Sequence, residues 1–176
     1  MAVERVTIRP ATRDDADGIG ESHASAWEQA FAHLFDPEFL ARSGASRRTG
    51  WRHSIERNLR PPNVLLVAEV GGVVRAFGQG APTDEPTTAE VRGFYAHPDV
   101  WGTGAAVALM AALLDALATD AISVVLWTPR GAGRARRFYE KAGFSLTGET
   151  RTDTVTDWRT GEGAPVDEVQ YGRRTR

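Results

Sequence analysis

Apolar positions recur along this chain at two periods, and each change of period marks a new element. Val6-Thr7-Ile8-Arg9 reads as a short strand ended by Pro10. Ala16, Ile19, His23, Ala26, Trp27 and Ala30 then recur at steps of three and four, the stripe of an amphipathic helix. Thr12-x-x-Asp15 before it supplies a hydroxyl and, three residues on, a carboxylate, close to a capping box. Asp36-Pro37 should break this helix, and Trp27, Phe31 and Phe35, four residues apart, should share one helix face. A second helical region covers about Glu38 to Leu59, weakened by Gly44 and Gly50 and closed by Pro61-Pro62. Val64–Val70 and Val73–Gly78 flank Gly71-Gly72 as the arms of a hairpin. After a turn-rich stretch, a fourth strand runs from about Ala89 to Ala96 and ends at His97-Pro98.

A third helix spans about Gly104 to Ala118, and a fifth strand, Ile122–Trp127, is apolar on both sides. A fourth helix, about Ala132 to Lys141, stops at Gly143. Two further strands occupy Phe144–Thr152 and Val166–Gly172, joined by a polar loop over Asp153–Pro165, and Arg173-Arg174-Thr175-Arg176 reads as a loose tail. The strand–helix–strand unit from Ala89 to Trp127 is a right-handed crossover, so its two strands should be parallel while the hairpin and the last two strands are antiparallel. The sum is an α/β (α+β) fold: a mixed, mostly antiparallel sheet of about seven strands with about four helices. No linker divides the 176 residues, so one domain over residues 1–176 is expected, large enough to bury roughly 70% of its unfolded surface.

Composition narrows the function by exclusion. The 21 basic and 23 acidic side chains leave a net charge of -2, against a general nucleic-acid binder. Arg42, Arg47, Arg48, Arg52, Arg57 and Arg60 are spread around the second helix and interrupted by Glu56, which does not make a nucleic-acid surface. All but one of the basic residues are arginine, as a GC-rich coding genome would produce. With no cysteine there is no disulfide framework, no thiolate metal site and no cysteine nucleophile. The four histidines are scattered and no metal-binding spacing occurs. Met1–Arg5 lacks the apolar core of a signal peptide, and the longest apolar stretch, Gly104–Ala118, is too short for a bilayer, so a cytoplasmic protein is expected.

The informative segment is Phe94-Tyr95-Ala96-His97-Pro98-Asp99-Val100-Trp101-Gly102-Thr103-Gly104-Ala105-Ala106-Val107. A strand ends, a small-residue loop follows, and an apolar helix begins. Helix N-termini carry unpaired N–H groups and positive potential, and Gly102, Gly104, Ala105 and Ala106 have no bulk to hold a diphosphate away. A plain tight turn would use the same residues. A Walker A loop is absent, and the dinucleotide fingerprint fits Gly102 and Gly104 but fails at Val107.

His97-Pro98-x-x-Trp101-Gly102-x-Gly104-x-Ala106 resembles motif A of the GNAT superfamily of acyl-CoA-dependent N-acetyltransferases, with Trp101 where the family pattern has Arg or Gln. Arg134-Ala135-Arg136-Arg137-Phe138-Tyr139-Glu140-Lys141-Ala142-Gly143-Phe144 resembles motif B, with Ala132 where the family usually has asparagine. The opening Ile8-Arg9-x-Ala11-Thr12-x-x-Asp15 and the order of elements are similar too, so the resemblance covers nearly the whole chain.

The resemblance implies acetyl-CoA as cosubstrate, held where the fourth and fifth strands splay apart. Main-chain groups of Phe94, Tyr95 and Ala96 would meet the pantetheine arm, and the N–H groups of Gly102, Thr103, Gly104, Ala105, Ala106 and Val107 the pyrophosphate, with Trp101 beside them. Ala132, Ala135 and Phe138 would border the cofactor from the fourth helix. Tyr139 stands where the family protonates the leaving thiolate, and is equally placed to be a core aromatic. Glu90, at the start of the fourth strand, would take a proton from the amine, or be a solvent-facing residue neutralised by Arg92. On strict alternation Glu90, Arg92 and Phe94 share a face, unless a bulge changes the register. His23, on the apolar stripe, reads as a packed or pocket-lining residue.

Family geometry puts the acceptor pocket between the first two helices, the fourth strand and the loop joining the last two strands; the face carrying Trp27, Phe31 and Phe35 reads as core, with Trp27 and Phe31 as the candidates to line the pocket. Glu149, Asp153, Asp157, Glu162, Asp167 and Glu168 would attract a cationic amine if they formed its rim, and would otherwise be an acidic solvated loop. The expected activity is direct transfer of acetyl from the thioester to a primary amine of a small molecule. The alternative is a non-catalytic acyl-CoA-binding sensor domain. Family members are often homodimers.

Overall fold

A computed structural model describes residues 5–175. Residues 1–4, on which the leader reading rests, and residue 176 lie outside the described residues. The chain forms β1 (Val6–Pro10), α1 (Ala16–Ala30), α2 (Pro37–Asn58), β2 (Val64–Val70), β3 (Val73–Pro82), β4 (Thr88–Ala96), α3 (Ala105–Leu117), β5 (Ser123–Pro129), α4 (Gly133–Lys141), β6 (Ser145–Thr156) and β7 (Gly163–Arg174). The seven strands make one sheet in the order β1-β2-β3-β4-β5-β7-β6, in which only β4 and β5 are parallel. This is the expected mixed sheet with four helices.

Alternation decides what packs where. Leu65, Val67 and Phe77 point to the side covered by α1 and α2, where Ile19, Trp51 and Ile55 meet them. Leu66, Ala68, Val91 and Leu126 point to the other side, against Leu109, Met110 and Leu113 of α3. Arg9 ties the entry to the sheet, reaching Asp15 at 2.7 Å and Glu69 at 3.0 Å. Asp15 also accepts the Thr12 N–H at 2.7 Å, the backbone half of the expected capping box.

Several expected boundaries move for physical reasons. Helix α1 ends at Ala30, so Phe31 and Phe35 lie outside it. Asp36-Pro37 starts α2 rather than ending α1: the Asp36 carboxylate accepts the N–H groups of Glu38 and Phe39, and Pro37 takes the first helical position. Gly44 and Gly50 do not weaken α2 but admit neighbours, since a Cβ would run into Glu28 at Gly44 and into Trp158 at Gly50. β6 and β7 are longer than expected and pair from Ser145↔Gly172 out to Thr156↔Gly163, which shrinks the loop between them to residues 157–162. Arg173 and Arg174 belong to β7, and the Thr175 N–H donates to Ile122 O at 3.0 Å, so residues 173–175 are held rather than loose. Among the described residues, no helix is long and apolar enough to cross a membrane.

Candidate active site

The parallel pair is short. β4 and β5 pair from Thr88↔Ser123 to Val91↔Leu126 and no further, although β4 continues to Ala96 and β5 to Pro129. The divergence has a local cause. β4 pairs with β3 through Gly80↔Val91 and then Gln79↔Gly93, leaving Arg92 as an inserted residue. Such a bulge bends the strand and turns it away from its neighbour. From Arg92 to Ala96, the β4 edge that faces β5 has no strand partner, so its main-chain groups are open to an extended ligand.

The bulge also changes the face expected for Glu90. Ala89, Val91, Phe94 and Ala96 pack on the α3 side, so Phe94 points opposite to Glu90 instead of sharing its face. Glu90 lies 3.7 Å from the Arg92 guanidinium, the partner foreseen from sequence.

Beyond Ala96 the chain makes the small-residue turn into a helix that its composition suggested. The Trp101 indole N–H donates to Ala96 O at 2.7 Å, and the Arg134 guanidinium stacks on its ring at 3.9 Å. Trp101 thus pins the loop to the end of β4 and to α4. Gly102 and Gly104 have φ of 80° and 92°, the left-handed region that glycine enters without strain. A Cβ on either would meet nothing within 4 Å, so open space lies above the turn. The first helical bond of α3 runs from the Ala108 N–H to Gly104 O, leaving the N–H groups of Ala105, Ala106 and Val107 without carbonyl partners in the helix. A diphosphate fits this combination of free donors and empty space.

The residues expected from α4 fall into two groups. Phe138 stacks on Phe94 with ring centroids 5.4 Å apart, at the mouth of the splay and next to Ala135. Ala132 is instead buried against Trp27, Phe31 and Phe35, where its methyl group fills the aromatic cluster. Tyr139 is buried among Phe138, Phe144 and Tyr171. Burial, and secondarily the nearby Tyr95 phenol, push its hydroxyl well above the ordinary tyrosine value.

On the α1–α2 side of the sheet lies a cavity of about 830 Å³. His23 comes from α1, Arg47 and Trp51 from α2, Gly93 and Tyr95 from β4, and Trp158 from the β6–β7 loop, which is the position the sequence reading gave the acceptor. Its walls differ from those expected. Trp27 and Phe31 do not line it; they belong to a core cluster in which the Trp27 ring lies 4.8 Å from Phe31 and its indole donates to Ser43 Oγ. Their four-residue spacing is real, but it serves packing.

The acidic residues of the last hairpin do not line the cavity either. Glu162 pairs with Arg42 at 2.9 Å, and Arg151 takes both Glu168 and Asp153. Asp157 is buried, and although burial would raise its carboxyl, hydrogen bonds from the Arg159 and Thr160 N–H groups and from Ser46 hold it below the ordinary value.

Sequence reasoning missed Arg47. It grouped this residue with the arginines spread around α2, yet Arg47 is only 5% exposed. One signal was available: Ser43, Arg47, Trp51 and Ile55 fall at four-residue steps, so Arg47 lies on the buried stripe. His23 is packed and lines the cavity, as read. Its Nδ1 accepts the Trp51 indole N–H at 3.1 Å, and burial, reinforced by Arg47, keeps the ring neutral.

Comparison with known proteins adds the following. The family model described as Acetyltransferase (GNAT) family matches residues 25–144. No curated protein matches the chain. Among solved structures, the PaiA N-acetyltransferase from Thermoplasma acidophilum in complex with coenzyme A aligns over 97% of this chain and 99% of its own, with a TM-score of 0.72 and 15% identity. The ribosomal-protein-S18-alanine N-acetyltransferase from Escherichia coli aligns over 97% and 94%, with a TM-score of 0.67 and 16% identity. The Salmonella typhimurium protein YncA, solved with its cofactor acetyl-CoA, aligns over 98% and 95%, with a TM-score of 0.64 and 19% identity.

Proposed function

The chain belongs to the GNAT family of acetyltransferases, and from that premise we propose that it transfers an acetyl group directly from acetyl-CoA to the primary amine of a small molecule. The observation that carries this reading is one continuous edge. The unpaired β4 segment from Arg92 to Ala96 leads straight into the N–H groups of Ala106 and Val107, which have no carbonyl partner, and of Ala105, which reaches only the Thr103 hydroxyl at 3.4 Å, over two glycines that leave space for phosphate.

In this reading the pantetheine amides hydrogen-bond to β4 at Phe94, Tyr95 and Ala96, and the Gly102–Val107 turn receives the diphosphate. Phe138 and Ala135 flank the arm, and the apolar stack of Phe94 and Phe138 excludes water from the thioester. The amine arrives protonated and must lose a proton before it attacks; Glu90 takes it through water, since Arg92 rather than Glu90 is in the cavity wall. Attack on the thioester carbonyl forms the C–N bond, and a β4 main-chain N–H receives the developing oxyanion. As the C–S bond breaks, the Tyr139 hydroxyl protonates the thiolate, and the second proton of the amine nitrogen returns to Tyr139. Burial that raises the Tyr139 phenol also raises the proton affinity of a thiolate in the same site, so the gap between donor and acceptor does not widen. With no cysteine in the chain, a cysteine acyl-enzyme is unavailable and single-step transfer is the simplest route.

The test is thiol release from acetyl-CoA in the presence of a panel of primary amines. Turnover is expected, and Tyr139→Phe should lower kcat by about 100-fold or more, the usual range for loss of a general acid, without changing acetyl-CoA affinity. Tight acetyl-CoA binding with no turnover of any amine, and no effect of Tyr139→Phe, would establish the sensor alternative instead.

A further inference from the structure

We infer that the acceptor carries a carboxylate as well as an amine, and that Arg47 receives it; this rests on the acetyltransferase reading above and names the substrate class of the same site.

Three observations bring this out. First, Arg47 stands in the cavity wall although it is 5% exposed, and it is buried without an ionic partner within salt-bridge distance among the described residues. One end of its guanidinium is satisfied, with Nη1 donating to Ser43 O at 2.9 Å. Its Nε has no hydrogen-bond partner at all, and it is the one buried side-chain nitrogen or oxygen found in that state among the described residues. Nε–H and the adjacent Nη2 form the side-on edge that binds a carboxylate through two parallel hydrogen bonds, and this edge is the one left over. Second, the guanidinium cannot easily turn away to find another partner. The Trp27 ring holds its face at 3.9 Å, and the Trp158 ring is at 5.4 Å. A fixed, desolvated cation that feels the field of the buried Asp157 but makes no direct ion pair is costly unless a ligand completes it.

Third, the rest of the wall has the same sign. Arg57, Arg92 and Arg159 also line the cavity, and no lining residue is acidic. The carboxylates nearest this wall are already engaged: Glu90 lies 3.7 Å from Arg92, Asp157 accepts the Arg159 and Thr160 N–H groups, Glu162 pairs with Arg42, and Glu168 and Asp153 pair with Arg151. A simple cationic amine would be repelled by such a wall, whereas an aminocarboxylate offers it an anion while presenting the amine to the β4 gap beside Gly93 and Tyr95. The buried guanidinium, with one free edge, matches one planar monoanion.

The experiment compares acetylation of aminocarboxylates (the α-amino acids, β-alanine and 4-aminobutyrate) with that of their methyl esters, their decarboxylated amines and phosphoethanolamine, at fixed acetyl-CoA. The expected result is a kcat/KM at least about 100-fold higher for one or more free aminocarboxylates than for the matching ester and amine. Arg47→Gln should raise KM for that aminocarboxylate about tenfold or more, leave the KM of acetyl-CoA unchanged, and abolish the preference over the ester. Should Arg47→Gln fail to fold, Arg47→Lys keeps the charge and loses the side-on edge, and the wild-type comparison stands without either variant. Equal or better turnover of esters and simple amines overturns the inference while leaving the acetyltransferase reading intact, and a preference for phosphoethanolamine overturns it in favour of a phosphate group. If no amine is acetylated, thermal shift in the presence of CoA decides. Stabilisation by aminocarboxylates but not by their esters supports the carboxylate site and removes the catalytic reading; no difference between them overturns the inference as well.

Discussion

His23 shows at the residue scale how the fold sets a protonation state. Its Nδ1 accepts a hydrogen bond from Trp51, so the neutral ring carries its proton on Nε2. Burial, with Arg47 close by, holds its pKa well below the ordinary 6.5. The unfolded chain therefore takes up a proton at this site as pH falls through 6.5, and the folded chain resists. Stability from this source is full above pH 6.5 and is lost as pH falls, with a slope approaching about 1.4 kcal/mol per pH unit. The depressed carboxyls begin to contribute only lower: Glu21, held down by Arg48, below 4.5, and Asp15, held down by Arg9, below 3.8. Urea titrations between pH 6.5 and 4.5 should show this loss, and His23→Gln should flatten it. An equal slope in the variant would contradict the assignment. Tyr139 is perturbed in the opposite functional sense, staying protonated far into the alkaline range, so loss of activity near neutral pH must come from the amine side of the reaction.

Elements with a strong period were legible before any coordinates. The α1 stripe, the Gly71-Gly72 hairpin and the crossover through α3 could be read because each buries one face against a layer, and burial writes its period into the sequence. Three features did not follow that logic. The inserted residue at Arg92 is invisible to strict alternation, and it is what separates β4 from β5 and reverses the face of Phe94 relative to Glu90. Asp36-Pro37 is chemically competent both to stop a helix and to start one, and the next apolar run decided in favour of α2. The β6–β7 hairpin is mostly exposed along β6, so it carries little hydrophobic pattern to mark its length.

The cradle at the start of α3 was legible in composition, and its function is testable there. Gly104 has φ of 92° with nothing within 4 Å of a built Cβ, so Gly104→Val disturbs no neighbour but places a branched side chain in the space assigned to the diphosphate. Left-handed strain should cost about 1–2 kcal/mol of stability. Beyond that, KM for acetyl-CoA should rise about tenfold or more, equivalent to about 1.4 kcal/mol, while kcat at saturation changes little. An unchanged KM would remove the diphosphate from this turn.

Across the whole molecule, the net charge of -2 conceals a division of labour between the two sides of the sheet. Of the acidic residues of the last hairpin, Glu162 pairs with Arg42, and Asp153 and Glu168 with Arg151, whereas Arg47, Arg57, Arg92 and Arg159 surround the cavity on the α1–α2 side. The sequence reading expected a pocket between these elements, and a cavity lies there, but with other walls. Trp27 and Phe31 read from sequence as core with a share in the pocket wall, and only the core part holds, because helical spacing cannot tell a face that meets another helix from one that meets a hole. Arg47 was overlooked because a buried arginine is rare and its stripe was read from apolar residues alone. The absence of cysteine kept its weight throughout, since it removes a cysteine acyl-enzyme from the proposed reaction. The central claim is that coenzyme A enters along the unpaired edge of β4 and is anchored on the N-terminal turn of α3. A crystal structure of the protein with CoA tests it most directly. The account predicts diphosphate oxygens about 3 Å from the N–H groups between Gly102 and Val107, with the pantetheine amides against Arg92–Ala96. A diphosphate lodged in the arginine-lined cavity, with the β4 edge empty, would contradict it.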